Sequence, residues 1–146
     1  MTNVNLLTLL KQADIHSPEA LLGYALPKIS NELDDVAGIE VFRLARGGLI
    51  LWHGQNSAHN DGDFIAIDTD ALFQEAIDTQ AMLSNEDKRK VIAPMLYQDS
   101  IFALLLISFS KRQENLDVFM PGIVEDLGLM LYTRQMQTLL QRQIEI

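Results

Sequence analysis

Hydrophobic residues are most concentrated between Lys88 and Ser110, where their pattern predicts two β-strands joined by a polar turn. The first strand ends at Tyr97, and nearly every residue from Ile101 to Ile107 in the second strand is apolar. In an antiparallel sheet with one wet face, strands alternate apolar and polar residues, whereas a strand that is apolar throughout is covered on both faces. We therefore expect protein or ligand on both sides of the second strand.

Upstream of these strands, the pattern predicts two helices and then a β-hairpin. Leucines between Val4 and Ala13 define a short first helix. Ser17-Pro18 marks the start of a second helix, because serine caps helix N-termini and proline fits the first helical turn. Two alternating segments, Ala37–Leu44 and Leu49–Gly54, flank the turn Arg46-Gly47-Gly48. Because glycine adopts the backbone angles of tight turns, these segments predict a hairpin.

The rest of the chain predicts short elements followed by a long terminal helix. The predicted elements are a strand at Phe64–Ile67, a helix at Asp70–Thr79, a brief strand at Ala81–Leu83 and a helix over residues 118–146. One apolar set on the last helix consists of Ile123, Leu127 and Met130. A second, shifted set consists of Leu129, Tyr132, Met136, Leu139 and Ile146. Two sets on one helix indicate two partners, which we interpret as the domain's own sheet and the same helix of a second copy.

Composition predicts a single globular domain spanning residues 1–146. Apolar residues make up 48% of the chain and the formal net charge is −9. Such an acidic chain is poorly suited to nucleic acids or anionic membranes, which attract clustered basic residues. The cluster Lys88-Arg89-Lys90 is interpreted as a solvated strand entry rather than an anion site. Without a signal-peptide pattern or a run of ~20 apolar residues, we expect a cytoplasmic protein with no membrane or nucleic-acid partner.

Residues that carry common catalytic or metal chemistry are sparse. The chain has no cysteine, which excludes disulfides, thiolate nucleophiles and zinc–thiolate sites. No Gly-x-Ser-x-Gly nucleophile motif occurs. The aspartates between Asp61 and Asp70 lack the central glycine and final glutamate of a calcium loop. We interpret Asp68 and Asp70 as helix caps, and no metal site is predicted.

The order of these elements resembles that of a GAF domain. The resemblance is sharpest at Val91-Ile92-Ala93-Pro94-Met95-Leu96 and, after the polar turn, at Phe102-Ala103-Leu104-Leu105-Leu106. A PAS-like domain is the nearest alternative. The resemblance implies an α+β fold in which a six-stranded antiparallel sheet carries the N- and C-terminal helices on one face. On the other face, loops and a short helix would form a small-molecule pocket. Candidate pocket residues are Trp52, His53, His59, Phe73, Met95 and Tyr97.

The function implied by this resemblance is that of a sensory or regulatory domain. It would bind a small molecule or a partner and signal through helix-mediated homodimerisation, acting on an output domain or protein partner. The alternative is a structural dimerisation or protein-interaction module with a vestigial, unoccupied pocket. Members that reduce free methionine sulfoxide need cysteines, so we predict that this chain is non-catalytic and not an enzyme. The residues identify no cofactor; haem ligation by His53 or His59 is the minor alternative.

Overall fold

The computed structural model describes residues 17–144, with side chains through residue 141. The predicted helix Val4–Ala13 and the predicted dimer residue Ile146 lie outside this range. The helices are α1 (Pro18–Glu32), α2 (Ala71–Thr79) and α3 (Leu116–Ile144). The strands are β1 (Val36–Ala45), β2 (Gly48–Gln55), β3 (Phe64–Ala66), β4 (Leu83–Ser84), β5 (Lys90–Tyr97) and β6 (Ser100–Phe109). A 3₁₀ turn over Ile67–Thr69 connects β3 to α2.

The strands form one six-stranded sheet in the order β3-β2-β1-β6-β5-β4, and all of their pairings are antiparallel. The two predicted hairpins, β1–β2 and β5–β6, lie side by side, with β1 paired to β6 in the centre. The β1–β2 pairing shifts register between Val41 and Phe42, since Val41 pairs with His53 and Phe42 with Leu51. Trp52 is therefore the extra residue of a β-bulge.

Helix α1 begins where the sequence predicts it. The Ser17 hydroxyl accepts a hydrogen bond of 3.0 Å from the Ala20 backbone N–H, and Pro18 occupies the first helical turn. This arrangement satisfies one of the donors that a helix N-terminus leaves unpaired. Helix α1 buries Leu22 and Ile29 against the sheet and α3.

Two apolar layers cover the two faces of the sheet. Helices α1 and α3 pack on one face, which includes Ala103, Leu105 and Ile107 of β6. The intervening residues, Leu104 and Leu106, belong to the second layer, which includes α2. Successive strand residues point to opposite faces, so the segment of β6 from Ile101 to Ile107 is apolar because both faces of the strand are covered.

The predicted α+β architecture is confirmed: a six-stranded antiparallel sheet with long helices on one face and a short helix on the other. That residues 1–146 form a single domain stays a prediction. In the part of the chain that the structure describes, no helix combines the length and hydrophobicity needed to cross a bilayer.

Candidate functional site

The second sheet face, where the resemblance implied a pocket, is packed with apolar side chains at its centre. Phe73 of α2 meets Phe42 of β1 edge to face, with ring centroids 5.6 Å apart. Ala76 of α2 is fully buried beside Ile92 and Leu104. Helix α2 therefore lies directly on the sheet at this point.

Asp70 and Lys90 fix the start of α2 to β5. The Asp70 carboxylate accepts a hydrogen bond of 2.9 Å from the Leu72 N–H, which makes Asp70 the predicted N-cap. Its other oxygen lies 2.9 Å from the Lys90 ammonium. Partial burial acts to raise the pKa of Asp70, but the hydrogen bonds from Leu72 and Lys90 and the charge of Lys90 lower the pKa overall. Asp70 therefore favours its ionised form in the folded protein.

The six predicted pocket residues do not form one site. Phe73 lies in the layer beneath α2, whereas Trp52 and Met95 lie in the layer beneath α1 and α3. Tyr97 stacks on Tyr132 of α3. Alternation along a strand shows which residues share a face of the sheet. It does not show whether that face lies beneath α1 and α3 or beneath α2. Trp52, Met95 and Tyr97 were therefore grouped with Phe73 incorrectly.

Trp52 contacts side chains of its own domain. Its indole N–H donates a hydrogen bond of 2.7 Å to the Glu19 carboxylate of α1. The Arg43 guanidinium lies over its ring, 5.2 Å from the centroid. Both the polar edge and the π-surface of the tryptophan thus have partners, as is usual for a buried indole.

The two histidines of the predicted pocket are His53, near the end of β2, and His59, in the loop that follows. His53 Nδ1 lies 2.9 Å from a carboxylate oxygen of the exposed Asp61. His59 is exposed, and its backbone N–H donates to the Ser57 hydroxyl at 3.0 Å. Within the described residues, no group of three His, Cys, Asp or Glu side chains is placed to hold a metal.

The outer face of α3 carries one exposed apolar side chain near its start and several more from its middle onwards. Of the predicted dimer residues, Leu129 is 58% exposed, and Met136 and Leu139 are also exposed. The structure adds Val118, 67% exposed, and Leu140, 56% exposed, to this face. Leu140 follows Met136 by four residues, a spacing that places both residues on the same face of a helix and could have identified Leu140 from the sequence. Tyr132 instead packs within its own domain, against Tyr97 and Phe102.

Two of the cavities that border α3 in the described part of the chain also border β5. The larger, a groove of about 560 Å³, lies between the end of β5 and the middle of the helix, where Leu96, Tyr97 and Leu129 line it together with Glu125 and Asp126. Burial and the neighbouring charge of Glu125 raise the pKa of Asp126. The smaller, of about 250 Å³, lies between the β4–β5 turn and the start of α3. The sequence did not predict the smaller cavity, because segments more than 20 residues apart line it.

The fold of this protein is that of a GAF-like domain. No family model matches the sequence, and no curated protein matches it. The structure is similar to the GAF domain of an Acinetobacter phosphoenolpyruvate-protein phosphotransferase, with a TM-score of 0.72 at 12% identity over 91% of this chain and 96% of that chain. The GAF-like fold predicted from the sequence is therefore confirmed.

Enzymes are also among the similar structures. The free methionine-R-sulfoxide reductase of Staphylococcus aureus, in complex with its substrate, has a TM-score of 0.66 at 19% identity over 90% of this chain and 98% of that chain. The free methionine-R-sulfoxide reductase of Neisseria meningitidis has a TM-score of 0.70 at 10% identity over 91% of this chain and 87% of that chain. At these identities the likeness shows the fold and not an activity.

These reductases overturn the functional prediction made from the sequence. A non-catalytic sensory or regulatory domain was predicted, with a structural module as the alternative, and the chain was predicted not to be an enzyme. Because the same fold is shared by reductases and by GAF domains, that fold does not imply a non-catalytic role. The prediction of a non-catalytic chain, which was drawn from the lack of cysteine and of a nucleophile motif, was wrong.

Proposed function

We propose that this chain binds a small molecule and works as a homodimer assembled through the outer face of α3. The observation that carries the proposal is the apolar row on that face, which includes Leu129, Met136 and Leu140. Single exposed apolar residues such as Val118 are normal on protein surfaces, whereas several on one helix face, here from Leu129 to Leu140, are typical of an interaction surface.

The spacing of this row favours a second α3 as the partner. Leu129 and Met136 are seven residues apart, and Leu139 follows three residues after Met136. Residues at this spacing form the contact stripe of paired helices. The pattern complements itself, so a second copy of the chain fits it.

The length of α3 supports the same partner. The helix has 29 residues and is therefore about 43 Å long at ~1.5 Å per residue. Strand β5 has 8 residues and spans about 26 Å at ~3.3 Å per residue. The helix is thus longer than the strand beside it, and Met136, Leu139 and Leu140 lie in its second half.

Light scattering after size exclusion tests the homodimer. The wild-type chain is expected to have twice the monomer mass, and Met136→Glu is expected to have the monomer mass because it places a charge in the apolar row. Gln137→Glu is the matched control, since it adds the same charge one residue further, about 100° around the helix. A monomeric wild-type chain, or a Met136→Glu variant that stays dimeric, would refute this interface.

The binding of a small molecule is supported by the two cavities between β5 and α3. We place its action in the cytoplasm, a compartment that suits a chain without cysteine. A thermal-shift screen against metabolites tests binding, because a ligand that binds only the folded state raises the melting temperature. If no compound raises the melting temperature, the proposed binding of a small molecule is refuted.

Turnover of free methionine-R-sulfoxide is a second candidate function, favoured by the reductases among the structures with this fold. The chain has no cysteine, so it supplies no thiolate of its own. Dithiothreitol would supply the two electrons and be oxidised to its disulfide, while the sulfoxide oxygen leaves as water. Free methionine formed faster than in a protein-free control would support this function, and an equal rate would eliminate it.

A further inference from the structure

The smaller cavity combines an apolar wall with side chains of both charges. Met82, Val91 and Leu116 supply the apolar wall, and the charged side chains at its edge are Lys88, Glu114 and Asp117. Its volume of about 250 Å³ equals that of about eight water molecules at liquid density. A cavity of this size suits a small metabolite rather than a nucleotide.

Lys88 is held in place by the backbone of the β4–β5 turn. It has a positive φ of 54°, an angle that is uncommon and costly for a lysine. Its N–H donates to the Asn85 carbonyl at 3.1 Å, and its carbonyl accepts from the Gln113 N–H at 3.0 Å. These hydrogen bonds join the turn to the segment that leads into α3, so the backbone of Lys88 is held at the cavity before any ligand binds.

The other members of the basic cluster have different positions. The Lys90 ammonium pairs with Asp70 of α2, and Arg89 is exposed. Lys88 alone among the three lines the cavity, and it is half-buried. The interpretation of Lys88-Arg89-Lys90 as one solvated strand entry therefore does not hold for Lys88.

Among residues 17–144, one positive and one negative group at this cavity lack a charged partner. Glu114 forms an ion pair of 2.7 Å with Arg112. In the described part of the chain, neither the Lys88 ammonium nor the Asp117 carboxylate takes part in an ion pair. Two opposite charges that border one cavity without pairing complement a ligand that carries both charges itself.

We propose that this cavity binds a zwitterionic α-amino acid with an apolar side chain. Lys88 binds the ligand carboxylate, Asp117 binds its ammonium group, and Met82, Val91 and Leu116 contact its side chain. Charge-assisted hydrogen bonds are stronger than neutral ones, so the two ends of the ligand fix its orientation. The inference rests on the proposed binding of a small molecule, which it assigns to one cavity and one class of ligand.

Isothermal titration with L-leucine and L-methionine tests the assignment. Both are expected to bind the wild-type chain, and Lys88→Gln and Asp117→Asn are each expected to weaken binding by about tenfold or more. Lys111→Gln and Asp68→Asn are the matched controls, because they remove the same charges at exposed positions outside the cavity. The melting temperatures of all four variants are to be measured, to verify that each variant remains folded.

Two leucine analogues identify which residue binds which end. Isoamylamine lacks the carboxylate, so its affinity is expected to be nearly unchanged by Lys88→Gln and lowered by Asp117→Asn. For 4-methylpentanoate, which lacks the ammonium group, the reverse is expected. Each pair of a ligand change and a residue change forms a double-mutant cycle, which isolates the contact between the two groups removed.

The inference and the proposed function fail in different ways. If leucine binds the wild-type chain and Lys88→Gln equally well, the assignment to this cavity is overturned while small-molecule binding stands. If no amino acid binds but another metabolite raises the melting temperature, the ligand class is overturned. The homodimer is measured separately by light scattering, and none of these results affects it.

Discussion

The ring of Tyr97, at the end of β5, lies parallel to the ring of Tyr132 in the middle of α3, with centroids 3.8 Å apart and planes inclined by 15°. Phe102 of β6 meets Tyr132 edge to face at 5.3 Å. The sequence assigned Tyr97 to a ligand pocket and Tyr132 to a dimer interface. In the structure they are partners, and together they attach α3 to the end of the β5–β6 hairpin.

The first prediction concerns the energy of this stack. Aromatic pairs contribute about 0.5–1.5 kcal/mol beyond the area they bury. A double-mutant cycle of Tyr97→Leu and Tyr132→Leu, measured by urea denaturation, is therefore expected to give a coupling energy in that range. Leucine keeps an apolar side chain at each position, so the cycle isolates the ring contact. Additive effects of the two substitutions would show that the stack does not stabilise the fold.

The second prediction concerns Gly48, the first residue of β2. A Cβ atom there would collide with the backbone carbonyl of Ile65 on β3 and with the ring of Phe64. Since the backbone carbonyl cannot move without disturbing the β2–β3 pairing, Gly48→Ala is expected to lower the free energy of unfolding by about 1–3 kcal/mol. Chemical denaturation provides the measurement.

Gly23 provides the matched control for Gly48. It lies within α1, and a Cβ atom there would meet nothing within 4 Å. Alanine is preferred to glycine inside a helix, so Gly23→Ala is expected to stabilise the protein by about 0.5–1 kcal/mol. Equal effects of the two substitutions would contradict the β2–β3 contact as described.

Local signals in the sequence predicted most of the fold. Ser17 and Asp70 were identified as helix caps from residue type and the residues that follow, and both make the expected hydrogen bonds. Gly47 was identified as a turn residue, and its φ of 78° is one that glycine adopts readily. Each of these features depends on a few neighbouring residues, which a single sequence contains in full.

The candidate site depended on information that is not local. Periodicity places Trp52 and Leu51 on opposite faces but does not say which face lies beneath the helices, and the bulge at Trp52 adds one residue to β2. The cavity at Lys88 is formed only when the β4–β5 turn reaches the start of α3. The type of a residue and its neighbours in the sequence do not reveal a contact between two distant segments.

The third prediction uses the single tryptophan of the chain. Glu19→Leu removes the acceptor of the Trp52 indole N–H, a part-buried hydrogen bond, which is expected to cost about 0.5–1.5 kcal/mol of stability. We also expect the tryptophan emission to change, because the neighbouring carboxylate is lost. Glu19→Gln retains an acceptor and serves as the control. A Glu19→Leu variant as stable as wild type would contradict the hydrogen bond.

The fourth prediction concerns pH and the pair Asp70–Lys90. The pKa of Asp70 is lowered in the folded state from an ordinary value of 3.8. The ionised form is therefore the one that folding favours, and its stabilising contribution is complete above the unfolded-state pKa and is lost as the pH falls through the lower folded-state value. Asp70→Asn keeps a capping oxygen for Leu72 but removes the charge. We expect the variant to be less stable than wild type at pH 7, with a difference that begins to shrink near pH 3.8 and is lost as the pH falls through the lower folded-state pKa.

Asp126 provides the contrast, because burial and the charge of Glu125 raise its pKa in the folded state. Folding there disfavours the ionised form, so Asp126→Asn is expected to be more stable than wild type at pH 7, and the gain is lost as the pH falls towards the unfolded-state value. Urea denaturation of the three proteins between pH 3 and pH 7 measures both effects. Curves for Asp70→Asn and Asp126→Asn that deviate from wild type in the same direction would show that one carboxylate is not in the environment described, since opposite pKa shifts require opposite signs.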